Sequence, residues 1–321
     1  MILTVDVVSQ LISQGKLLHI AGAAELLKKL PRGNWIGGST EYFMAEGGGR
    51  TSAELLYVDV LSFREFVIAT YDADTIAGVT ADACESGFSI VIIPSDCATR
   101  KAYAEKAAGF DGMFIKNIVG WISGANLEDK EGSAIAVDGS TGEVYKDRAV
   151  VLHLSVPEGK TVNIGIINIF EPDENSPVIE FDEEGFTVEK CRVNGEEAVL
   201  ADYIAGSGID TRLPLVGNYS GAGINSAFRS LEGGRVRFYA PVFGGIQYRI
   251  AKPLAMDYAS EFASRLSQMK DADVVFSCSC VLNYIYGELE GKDTRAFSGP
   301  ITFGEIAYQL VSQTLVYVVM V

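Results

Sequence analysis

Residues Val274–Cys280 read VVFSCSC and residues Phe297–Val321 read FSGPITFGEIAYQLVSQTLVYVVMV. Two apolar runs flank a polar, glycine-containing stretch, and the second run closes the chain. That run, LVYVVM, is rich in β-branched residues and far shorter than the roughly 20 residues a membrane-spanning helix needs. It predicts an interior strand, not an anchor. VVFSCSC predicts a strand that gives way to a pocket-lining loop at its Ser and Cys residues. The segment FGEI places Glu305 among apolar neighbours, where an unpaired carboxylate is costly or must shift its pKa. Its expected partner is a ligand ammonium, a structural Arg, or the N–H groups of the SGPIT turn.

Upstream, the order of patterns is that of an α/β chain. TVDVVSQLISQG has apolar residues at helical spacing and stops at Gly15, KLLHIAG reads as a strand, and AAELLKKL as a helix ended by Pro31. NWIGG predicts a buried strand opening into a polar turn, STEYFMAEGGG. DADTIAGVTADACESG and SDCATRKAYAEKAAG predict helices, the second capped by Ser95 or Asp96, with the strand FSIVIIP between them. Strand runs broken by glycine turns then dominate, with Asn194-Gly195 a strong hairpin signal and a short helix expected from Glu196. DYASEFASRLSQMKDA predicts an amphipathic helix with Ala259, Phe262, Ala263, Leu266 and Met269 on its apolar face. The expected class is α/β (α+β), with mixed, largely antiparallel sheets flanked by helices. The acidic EPDENSP, Glu171–Pro177, marks the expected boundary, giving parts 1–175 and 176–321.

Composition narrows the function. The 321 residues are 48% hydrophobic and 21% charged, a globular balance. Forty-two acids against 26 bases give a net charge of −16, which repels phosphate backbones and anionic lipid. Nucleic acid and membrane are therefore excluded as expected partners. The N-terminus lacks a basic region and a cleavage site, and the five cysteines are odd in number and scattered. Both features point to a reducing, cytoplasmic setting. There is no P-loop, no strand–helix GxGxxG and no nucleophile elbow, so most enzyme templates fail.

The halves echo one another. FSIVIIPSDCA and VVFSCSC each run from an apolar strand into Ser and Cys. WIGGSTEYF and FSGPITFGEI each join an aromatic-flanked glycine to a hydroxyl residue and then a glutamate. Two related halves would share a crevice, a common place for ligands. The expected ligand-binding residues are Ser277, Cys278, Asn283, Thr302 and Glu305 from one half, with Ser39 and Thr40 from the other.

The order of these landmarks resembles that of FIST domain proteins, an intracellular sensory family of bacterial signalling. The resemblance is carried by IGGSTEYF, IVGWISGAN, AVDGSTGEVYKDRAVVLHL, VIEFDEEGFTVEKCRVNGEEAVLADYI, LEGGRVRFYAP, FSCSC and FSGPITFGEIAY. It implies FIST-like N- and C-terminal halves and a small polar ligand, with an amino acid the leading class. It also implies a signal passed in trans, since no output domain is present. One departure is notable: Ser279-Cys280-Val281 stands where the family carries a small residue and Gly-Arg after its FSC, so an anion-pairing guanidinium is missing.

Two other chemistries are open to the sequence. His19 in LLHIAG or His153 in VLHLSV is the candidate axial ligand of a haem-based nitric oxide sensor. Cys278 or Cys97 is the candidate nucleophile of a thiol-dependent enzyme. For each, the plainer alternative is a buried side chain satisfied by its neighbours. No metal site is expected, because there is no CxxC pair or His cluster.

Overall fold

A computed structural model describes residues 1–129, 132–219, 221–267, 273–292 and 297–321. The architecture is α+β, as expected, and only three described strand pairings are parallel. The closing run forms the strand Leu315–Met320, paired on one side with Val162–Ile167 and on the other with Val274–Cys280. It is an interior strand.

The internal likeness expected as two related halves is threefold in the strand order. Each unit has an edge strand, a helix, a central strand, a second helix, a strand parallel to the central one, a hairpin, and a return strand. The central strands are Leu17–Gly22, Gly87–Pro94 and Val274–Cys280. Their parallel partners are Trp35–Ser39, Ile118–Ser123 and Gly299–Thr302, and their return strands are Leu56–Leu61, Ala149–Ser155 and Leu315–Met320. A right-handed crossover through a helix is the ordinary way to bring two such strands parallel.

The hairpins are exchanged between units. The second unit's Ala136–Asp138 pairs with Trp35–Ser39 of the first. The third unit's Glu305–Ala307 pairs with Ile118–Ser123 of the second. The first unit's Tyr42–Ala45 pairs with Gly299–Thr302 of the third. The exchange is cyclic and builds three six-stranded sheets of the same order. STEYFMAEGGG, expected as a polar turn, is therefore mostly the hairpin Tyr42–Ala45/Gly48–Thr51, because its aromatic residues bury against the third unit.

Between the third unit's edge strand and its first helix, Tyr258–Leu266, the chain makes an excursion. This insert forms a six-stranded and a three-stranded sheet around Phe181, Phe238 and Tyr248. Asn194 and Gly195 both take positive φ in its hairpin, but Glu196–Val199 is a strand and the helix begins only at Leu200. Sheet pairing crosses the expected 175/176 boundary three times: the third unit's later strands pair with its own edge strand Val162–Ile167, with Tyr42–Ala45 of the first unit and with Ile118–Ser123 of the second.

Local departures from the expected elements have simple causes. The helix from Asp72 shrinks to Gly78–Ala81, and Ala24–Leu27 is a single turn. The helix Ala98–Lys106 is capped by Cys97, whose Sγ accepts from Arg100 N at 3.4 Å; Asp96 turns away with φ +58° toward Arg229. Phe262 and Leu266 are the buried residues of the Tyr258–Leu266 helix, and Met269 lies outside the described residues.

A polar hub where three strand ends meet

The three parallel strands end alike. Ser39, Ser123 and Thr302 are their last residues, set in register opposite the last central-strand residues Gly22, Pro94 and Cys280. All three hydroxyl residues are buried. Beyond them the chains bond from unit to unit. Gly124 N donates to Ser39 O at 2.8 Å, Phe303 N to Ile122 O at 3.0 Å, and Thr40 Oγ1 to Ile301 O at 2.7 Å. Each unit thus meets the next at a hydroxyl-bearing strand end. Ser39 Oγ accepts from Ile135 N at 2.9 Å, whereas Ser123 Oγ has no hydrogen-bond partner among the described residues.

Glu305 belongs to this hub and is fully buried. Its partner is none of the three expected. Thr302 Oγ1 donates to Oε1 at 2.9 Å, and Thr314 donates to Oε2 from Oγ1 at 2.8 Å and from its backbone N at 3.3 Å. Burial pushes the carboxyl up to about 8, and the threonine hydrogen bonds oppose but do not cancel that rise. Asn283 extends the network. Its Nδ2 donates to Thr314 O at 3.0 Å and to Ser279 Oγ at 3.2 Å, and its Oδ1 accepts from Tyr258 at 2.6 Å.

Of the seven expected site residues, Thr302, Glu305 and Asn283 share one network, and Ser39 and Thr40 stand beside it across the strand ends. Ser277 and Cys278 lie further down the central strand, bonded to Ser298 O and Gly120 O, and belong to the packed interior. Ser39 and Thr40 line the cavity beside the hub. Sequence reasoning missed Thr314 and Ser123. The signal for Thr314 was the polar triplet Ser312-Gln313-Thr314 between two apolar strands. For Ser123 it was WISG, which repeats the hydroxyl ending of WIGGS.

The cavity beside Ser39 and Thr40 has a volume of about 250 Å³. Its small floor is Ala23, Ala24, Gly124 and Ala125, and its walls carry both charges, Lys28 and Lys146 against Glu25, Glu41 and Asp129. Glu41 Oε2 accepts from Asn126 Nδ2 at 2.7 Å, and Lys146 Nζ donates to Ser133 Oγ at 3.3 Å. Lys28 is 2.5 Å from Glu25 at the open rim. The lining comes wholly from residues 23–146, so this cavity does not straddle the expected boundary.

The histidines are satisfied internally. His19 Nε2 accepts from Trp121 Nε1 at 2.9 Å, which leaves the ring proton on Nδ1, 2.9 Å from Asp59 Oδ2. His153 lies between Ser89 Oγ at 2.7 Å and Tyr71 Oη at 3.0 Å, and burial pushes it down to about 4. Tyr71 in turn donates to Asp82 at 2.8 Å. Neither ring offers a nitrogen to iron in this arrangement. Burial also raises the Cys97 thiol, and raises Cys278 well above the ordinary range, so both are protonated at neutral pH. Among the described residues, no group of three or more His, Cys, Asp or Glu side chains is placed to hold a metal ion. No helix there is long and apolar enough to cross a membrane.

These features belong to an α+β protein built from three like units around a polar hub. The chain is a member of the family described as "Family of unknown function (DUF6976)", which matches it over residues 3–321. A search of curated proteins found no match.

Proposed function

We propose that this protein is a non-enzymatic, cytoplasmic sensor that binds a small zwitterionic metabolite of the amino-acid class in the cavity beside Ser39 and Thr40. One observation carries this reading: a cavity of about 250 Å³ presents ammonium and carboxylate side chains together over a floor of small residues. A zwitterion needs both signs within a few ångströms and little room besides. Lys146 is the partner for a ligand carboxylate, and Glu41, held by Asn126, the partner for an ammonium. Five free thiols fit a reducing compartment.

The sensory part of the reading draws on the FIST-like order of the sequence and on the position of the cavity. Its lining includes Ser39, Thr40 and Gly124, whose bonds tie the first unit to the second and third. A ligand that favours one arrangement of these strand ends shifts the population of the whole, and a protein partner reads that shift in trans.

Isothermal titration against a panel of L-amino acids tests the proposal. Saturable binding of at least one member is expected, weakened about tenfold or more by Lys146→Met and by Glu41→Gln, since each removes a charge-assisted hydrogen bond. The absence of binding across the panel, or binding indifferent to both substitutions, would overturn it.

A further inference from the structure

We propose that a second cavity, of about 440 Å³, formed where the insert meets the third unit, is a binding site for a primary amine with an aromatic or branched-alkyl body. It uses none of the residues around Ser39 and Thr40. Leu213 comes from the insert, Leu254 and Tyr258 lead into the Tyr258–Leu266 helix, and Tyr286 ends the helix after VVFSCSC. The two tyrosine rings lie 6.1 Å apart at 70°, an edge-to-face pair that walls one side of the cavity. Tyr258 is pinned from behind by its hydrogen bond to Asn283, so the aromatic wall is preformed. An apolar body therefore enters a rigid slot at low ordering cost.

The head-group chemistry follows from the charges at the rim. Two cations line it, and each is held by a rim carboxylate: Arg212 by Asp210 at 2.7 Å and Lys292 by Glu288 at 3.9 Å. Asp257 is a third carboxylate, accepting from Ser260 at the helix start, and it makes the rim net negative. Burial raises the Tyr286 hydroxyl first, then Cys280 and the rim's Asp210, with Arg212 opposing them. A negative rim over aromatic faces attracts an ammonium and repels a carboxylate.

The test uses 2-phenylethylamine and 3-phenylpropionate, which share a body and differ in head-group charge, titrated into the full chain by calorimetry. The amine is expected to bind saturably, and the carboxylate at least tenfold more weakly. Tyr286→Ala should weaken the amine about tenfold. Met256→Trp, placed at the exposed rim of the cavity, should block it without disturbing the core. Lys146→Met, in the other cavity, should leave binding of the amine as in the wild type. Equal binding of amine and carboxylate, no saturable amine binding, or binding lost in Lys146→Met but kept in Met256→Trp would each overturn the proposal. Because the probes differ and the variants that disrupt each cavity are distinct, either reading can fail alone.

Discussion

Glu305 is a carboxyl group with no access to water, answered by two threonine hydroxyls and one N–H rather than by a cation. Its folded-state pKa of about 8 lies above the ordinary value near 4.5, so the folded protein binds more protons than the unfolded chain between those limits. The stabilising contribution is full below pH 4.5 and is lost as pH rises through 8. His153 works the other way. Its pKa of about 4 lies below the ordinary 6.5, so its contribution is present above pH 6.5 and lost as pH falls toward 4. Denaturant unfolding at several pH values checks the first effect. Glu305→Gln should gain on the wild type by a few kcal/mol between pH 5 and pH 8.5, a one-unit shift being about 1.4 kcal/mol. A wild-type slope that persists in the Gln variant would assign it elsewhere. The need of Glu305 for a partner was legible in FGEI. The partner was not, because Thr314 lies nine positions on and returns only when the hairpin Glu305–Ala307/Gln309–Val311 closes.

At the scale of elements, apolar runs such as FSIVIIP and VVFSCSC were readable as strands. Ser39, Ser123 and Thr302, at the ends of shorter strands, prove to occupy the same place in three units. The inner packing of those strands was not readable. Gly120 in IVGWIS has φ +155°, and a Cβ there would stand 1.9 Å from Val91 O in the parallel neighbour. Gly120→Ala must push Ile118–Ser123 away from Gly87–Pro94 or bend the second unit. It is expected to cost about 3 kcal/mol or more in urea unfolding. A change within about 0.5 kcal/mol would mean the strand pair has slack that the geometry denies. The helices were over-read for a related reason. Ala24–Leu27 and Gly78–Ala81 carry helical spacing in sequence, but one turn spans the gap their strands leave, and tertiary packing overrides local propensity.

For the molecule as a whole, the cyclic exchange of hairpins means that no unit completes its sheet without a neighbour. The three central strands should therefore open together, while the insert, with its own core around Phe181, Phe238 and Tyr248, can open by itself. Native-state hydrogen exchange in low denaturant checks this. Amides of Leu17–Gly22, Gly87–Pro94 and Val274–Cys280 are expected to share one opening free energy, with those of Arg235–Val242 lower. Three different values for the central strands would show that the units are independent. The sequence alone determined which runs are buried, that the closing segment is a strand, and that polar atoms cluster near Thr302 and Glu305. Burial and strand preference are properties of neighbours along the chain, so a short window carries them. Tertiary structure alone decided that three units exist and how they exchange hairpins. It also decided that Thr40 bonds Ile301 across 261 positions. Strand pairing is set by which edges remain open after each sheet forms, and no local pattern records that.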